Sequence, residues 1–327
     1  MPIRLGVTLL LCLISFAAVI AGPLWVLLLA PIVFGVPHVG ADIRYLVLRP
    51  YGRGLRGDLL LILAPIFVLL VLGLLAGFGM PRWIGVEIGL GMAAIGIAVS
   101  QSRLAEGRKF ALLAALLLLA VLMIEHPRPT YTALLHLHNF IAVAIWLTLF
   151  RSAGSRSEGR MILIILSGFA LAVSAAGYFL PNMFQFAGSP DGFGVKEAAA
   201  ALMPGQPLDY AAVVIRLYAF MQLMHYVIWL FLVPSSSGAG SLRSDFGAGG
   251  LAACAGLTVI TITAGYFLPL RTREIYLTAS IFHAWLELAV GSYLLLSAGS
   301  AAVSFAGASG RPVGVNAGET PDLVKNL

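Results

Sequence analysis

The chain has 327 residues, of which 60% are hydrophobic and 10% charged, with a mean hydropathy of +0.97 and a formal net charge of +6. Soluble domains carry about a quarter charged residues, so this composition excludes a water-soluble globular protein and predicts an all-α, polytopic transmembrane helical bundle. The apolar runs are continuous rather than alternating, which excludes a barrel, and loops at a membrane surface explain the positive charge without nucleic acid.

Ten segments are each near the roughly 20 residues that a bilayer requires. They run over 5–21, 24–48, 58–79, 83–100, 109–124, 131–150, 161–180, 212–233, 248–270 and 275–297. The count is nine if Gly22-Pro23 only kinks one long helix. Arg4 followed by a run ending in AAVIAG also has the form of a signal peptide, although an uncleaved first span is the preferred reading. With the N-terminus in the cytoplasm, alternation puts Arg44, Arg49, Arg53, Arg56, Arg103, Arg108, Lys109, Arg151, Arg156, Arg160 and Arg243 on that side, with both termini. The outer side receives fewer, among them Arg82, Arg128, Lys196, Arg271 and Arg273. This bias is the positive-inside pattern of a cytoplasmic (inner) membrane protein of a bacterium.

Residues 1–297 therefore form the membrane domain. It includes a long outer loop, 181–210, whose PNMFQFAGSPDGFG and MPGQP stretches predict turns or a re-entrant cap. Residues 298–327 are small and polar and are expected to be a disordered tail. Cys12 and Cys254 lie in separate apolar runs and predict neither a disulfide nor a thiolate metal site. The string AGYFLP occurs at Ala176–Pro181 and again at Ala264–Pro269, each time closing a helix at its outer end.

Ionisable groups inside a bilayer are costly and usually mark function. Five of the six histidines fall within spans: His38, His136, His138, His225 and His283. So do Asp42, Glu87 and Glu287, of which Glu87 lies near enough to Arg82 to pair with it. The histidines occupy the second, sixth, eighth and tenth spans, which all run in one direction, and they can share one layer. Tyr131, Tyr218 and Tyr276 each stand seven residues before a histidine and are expected at the outer interface, where tyrosine is enriched. His38 with Asp42, and His283 with Glu287, are four apart, so each carboxylate shares a helix face with its histidine. Four imidazoles in a dry bundle suit a metal or a proton relay, and few thiols favour ferrous iron that activates dioxygen. Ligand imidazoles need acceptors for their second nitrogen, a role open to Asp42, Glu287, Asn139 and the neighbouring His136. Phe34, Trp146, Trp229 and Trp285 are candidates to line a pocket for a long apolar substrate entering from lipid. Two other readings remain open: a haem-binding electron carrier with axial histidines, and a transporter whose His–Asp and His–Glu pairs relay protons.

At GVPHVGAD, where Gly35, Pro37, His38 and Asp42 fall, the sequence resembles the Brp/Blh family of membrane β-carotene 15,15′-dioxygenases, with Val39 in place of a glycine. YAFMQLMHYVIW and IFHAWLELAV are similar to the family's later histidine helices. The resemblance implies an all-helical bundle around one ferrous iron without haem, held by His38, His138, His225 and His283, with Asp42 and Glu287 behind them. It also implies dioxygen as co-substrate and cleavage of a carotenoid's central double bond to retinal.

Overall fold

In a computed structural model the chain is helical, with no strand among the residues described, which are 2–52, 56–150, 156–180, 192–236 and 242–297. Among the described residues, ten helices are long and apolar enough to cross a membrane. They are α1 (Arg4–Ala21), α2 (Pro23–Leu48), α3 (Gly57–Gly77), α4 (Ile84–Gln101), α5 (Glu106–Glu125), α6 (Pro127–Phe150), α7 (Ser157–Phe179), α8 (Leu208–Ser236), α9 (Leu242–Phe267) and α10 (Pro269–Ser297). The break at Gly22-Pro23 is real: Gly22 leaves the helical region, with φ −156° and ψ 69°, and Pro23 starts α2. Proline is suited to a first helical position, where its missing N–H is not needed. The expected tail at 298–327 and the first part of the outer loop lie outside the described residues. The later part of that loop is not only turns. It holds a short helix, Val195–Leu202, and a single 3-10 turn, Leu208–Tyr210, that leads into the rest of α8.

In lipid, apolarity does not select the buried helices, because every outer face is apolar too. Polar and small residues make the selection. Windows of α8, α10 and α2 are 67%, 61% and 50% buried, whereas those of α5 and α9 are 0% buried. The three buried helices are among the four that carry the intramembrane histidines, and the lipid-facing pair carries none. Close approach depends on glycine where a side chain of the partner fills the space. At Gly91 on α4, a Cβ would collide with the indole of Trp285 on α10. Gly91→Ala is therefore expected to displace Trp285 or to cost about 1–3 kcal/mol, the usual penalty of overpacking. A lowered unfolding midpoint in detergent would register it, and an unchanged midpoint would count against this packing.

Polar ties set the helix ends. Arg82 donates to both oxygens of Glu87, at 2.7 Å for Nη2, which accounts for that acid as expected. Arg44 and Arg49 both reach Oδ2 of Asp245, at 2.6 and 3.1 Å, and join the end of α2 to the start of α9. Three histidine-bearing helices widen into π-helix just beyond the histidine, over Ile43–Leu48, Trp146–Phe150 and Ile228–Leu232. Such widenings often sit at functional sites, because they reset the face that the helix presents. The repeated AGYFLP is a shared helix ending. In both copies the Tyr and Phe are exposed and pair edge-to-face, with centroids 5.1 Å apart. Both cysteines are free thiols.

Candidate metal centre

His38 on α2, His138 on α6, His225 on α8 and His283 on α10 meet in the bundle. His283 is the hub: its Nε2 lies 3.3 Å from Nε2 of His38 and 2.9 Å from Nε2 of His138. The ring of His225 stands 4.3 Å from that of His138 and 5.2 Å from that of His38, centroid to centroid. Ligand atoms of His38, His225 and His283 lie within 4.8 Å of one another, and the same holds for His138, His225 and Glu287.

The protons can be placed by asking what each other nitrogen faces. A backbone carbonyl only accepts, so a ring nitrogen beside one must carry the hydrogen. Nδ1 of His38 faces the Phe34 carbonyl at 3.3 Å, and Nδ1 of His283 donates to the Ser280 carbonyl. Both Nε2 atoms are then bare lone pairs, and they point at each other at 3.3 Å. Without a positive charge between them this contact is repulsive. Glu287 orients the remaining two rings. Its Oε2 is 3.4 Å from Nδ1 of His138 and its Oε1 is 3.5 Å from Nε2 of His225. Both distances are long for hydrogen bonds, yet no other acceptor is paired with those nitrogens. If they carry the hydrogens, Nε2 of His138 and Nδ1 of His225 are bare as well.

A metal ion fits this donor set. Neighbouring ligands at about 2.0–2.1 Å from one ion stand about 2.9 Å apart at a right angle and about 3.4 Å apart at a tetrahedral one. The observed 2.9 and 3.3 Å fall on that scale. Charge agrees with it. Asp42 and Glu287 are fully buried; neither oxygen of Asp42 has a hydrogen-bond partner, and Glu287 has the indole of Trp229 near it and the rings of His138 and His225 at 3.4 and 3.5 Å. Isolated buried carboxylates are strongly unfavourable, and a divalent cation beside them offsets that cost.

The carboxylates do not follow the helix-face expectation. Glu287 pairs across the bundle with His138 and His225, whereas His283 on its own helix is served by Ser280. Asp42 makes no hydrogen bond to His38, whose Nδ1 instead takes the carbonyl one turn earlier. The i+4 spacing placed these groups on shared faces but did not decide their partners. In α10 the deciding feature is the break at Ser280, with φ −85° and ψ 3°, which brings that carbonyl against His283. His136 lies outside the cluster: its Nε2 bonds the Leu202 carbonyl at 2.7 Å and its ring abuts Tyr218.

A cavity of about 380 Å³ reaches the histidines, and Trp285 lines it as expected; Asn139 also lines it, beside Tyr218, with no hydrogen bond to a histidine among the described residues. Trp146 and Trp229 do not line it. Trp146 donates to Ser236 at 3.1 Å, and Trp229 is fully buried against Phe150. Phe34 lines a second, apolar cavity of about 790 Å³ between α1, α2 and α8 instead. The tyrosines need correcting as well. Tyr131, Tyr218 and Tyr276 all line the histidine cavity, and Tyr218 is buried rather than interfacial. The ring of Tyr276 presses on Gly35, where any side chain would collide with it. Two residues with no sequence signal also line the cavity, Gln222 and Tyr226, and the Tyr226 ring is 4.7 Å from that of His38.

No family model, no curated protein and no solved structure matches this chain.

Proposed function

We propose that this protein is a membrane oxygenase that holds non-haem ferrous iron on His38, His138, His225 and His283. In this reading it resides in a bacterial cytoplasmic membrane and cleaves an apolar conjugated chain of the carotenoid class to retinal-like aldehydes. The observation that carries the metal is the convergence of the Nε2 atoms of His38 and His138 on Nε2 of His283, at 3.3 and 2.9 Å, in a bundle that also buries Asp42 and Glu287. Imidazole with few thiols suits iron among the first-row metals. The substrate class rests on the GVPHVGAD resemblance and on the apolar cavity between α1, α2 and α8, whose lining residue Tyr226 packs against His38.

Bound iron supplies the binding and activation of dioxygen. The overall reaction balances without an external reductant: the carbon–carbon double bond breaks and each carbon takes one oxygen atom. The protein's part is orientation and exclusion of water. Ser280 and Phe34 fix the protons of His283 and His38 so that their Nε2 lone pairs face each other, and Glu287 stands 3.4 and 3.5 Å from His138 and His225 as the nearest carboxylate. Trp285, 2% exposed, forms an apolar wall beside His283. The 2.9 and 3.3 Å separations are those of neighbouring ligands, not of the opposed pair about 4 Å apart that a haem requires, so the haem reading is not favoured.

The test is expression in β-carotene-producing cells together with metal analysis of the purified protein. Retinal should accumulate with the native chain and not with His225→Ala. Iron-loaded protein without retinal would remove the carotenoid substrate, and metal-free native protein would remove the oxygenase.

A further inference from the structure

The cavity that leads to the histidines is largely apolar, with charged and polar groups gathered on part of its lining. Its outer part is lined by Arg128, Arg273, Tyr131 and Tyr276, and no aspartate or glutamate lines it among the described residues. Arg273 is held in place: Nε donates to the Leu27 carbonyl at 2.8 Å, and the guanidinium sits 4.8 Å from the Phe193 ring centre. That leaves the donors of its two terminal nitrogens for the cavity, since an arginine carries five N–H groups. The adjacent Glu274 is largely exposed and paired with Arg271 instead. Deeper in, Gln222 Oε1 is buried without a hydrogen-bond partner, and Asn139 and the Tyr276 hydroxyl have only their neighbours Tyr218 and Ser280. A hydrocarbon filling this space would take water from these groups and return nothing, which is costly. A carboxylate would meet the arginine fork with paired, charge-assisted hydrogen bonds.

The far end of the cavity has the opposite character. Tyr226 lines both this cavity and the apolar one of about 790 Å³, whose other lining residues include Leu11, Trp25 and Leu230. Its ring also contacts that of Phe34, with centroids 5.8 Å apart. Tyr226, beside His38, is a wall shared by the two cavities: one carries arginines at one end, the other is apolar.

We propose that the substrate is a single-chain polyene with a carboxylate at one end. The carboxylate is held by Arg273 and Arg128, the chain passes the histidines, and the tail extends beyond Tyr226 into the apolar cavity. This rests on the histidines being the reacting centre, and it narrows the carotenoid-class reading to a chain that carries a carboxylate at one end.

The experiment uses the full-length protein in phosphatidylcholine nanodiscs, with cis-parinaric acid and its methyl ester as probes, read by energy transfer from tryptophan. Metal content is measured in the same samples. The acid is expected to bind about tenfold or more tightly than the ester. Arg273→Gln and Arg128→Gln should each shrink that ratio and together abolish it, Arg273→Lys should keep part of it, and metal content should stay unchanged throughout. Equal affinities of acid and ester in the native protein would overturn the proposal, as would a preference that survives in the double variant. Loss of the acid's binding when phosphatidylglycerol is added would also overturn it, by making the arginines a phospholipid headgroup site. A native protein without metal but with an intact acid preference would sink the oxygenase reading and leave this subsite standing.

Discussion

His283→Ala is expected to empty the metal site, with bound metal falling at least about tenfold below that of the native protein. Losing one of a few ligands commonly costs more than losing a supporting group, which by itself weakens affinity about 10–100-fold. His283 is the position of largest effect because its Nε2 is the atom that both His38 and His138 approach, at 3.3 and 2.9 Å. His38→Ala should act in the same direction. The check is metal analysis of detergent-purified protein, with helix content followed by circular dichroism to confirm that the bundle persists. If both variants retain full metal, the four-histidine assignment is wrong.

The second large effect is predicted at a residue expected to bind no metal itself. Glu287→Gln should weaken metal affinity about 10–100-fold while leaving the helices intact. A carboxylate can accept from His138 on one oxygen and from His225 on the other, at 3.4 and 3.5 Å. An amide has one accepting oxygen, so one of the two rings loses its orienting partner and is free to turn its lone pair away. Competition against a chelating dye measures the affinity directly. An unchanged affinity would mean that Glu287 serves only as a buried countercharge, and then Glu287→Asp should be equally silent.

Much of this was readable from composition and spacing. Ten apolar runs appear as ten helices, because a bilayer imposes both length and full backbone hydrogen bonding on whatever crosses it. The four histidines were placed in one layer by counting from the ends of parallel spans, and all four meet. The weaker guesses concerned which neighbour each side chain takes. Glu287 was assigned to His283 from i+4 spacing, yet it serves two other helices. Trp146 and Trp229 were placed in the pocket by aromatic character, although their rings point into helix–helix packing. Tyrosines at helix starts resemble interface anchors by position, and only packing shows that all three line the cavity, with Tyr218 buried and Tyr276 pressed on Gly35.

Composition and spacing alone are enough to read a membrane bundle of nine or ten helices with histidines on four helices that run the same way. Hydropathy and helical rise are one-dimensional quantities, and they suffice for depth and direction. Which face each helix turns inward, which carboxylate meets which imidazole, and where a polar cavity meets an apolar one were decided by tertiary structure alone. In a bilayer the outer faces are as apolar as the inner ones, so periodicity carries little signal for rotation about the helix axis. Rotation is instead set by close contacts such as Gly91 on Trp285 and by backbone breaks such as Ser280, which act between helices distant in sequence.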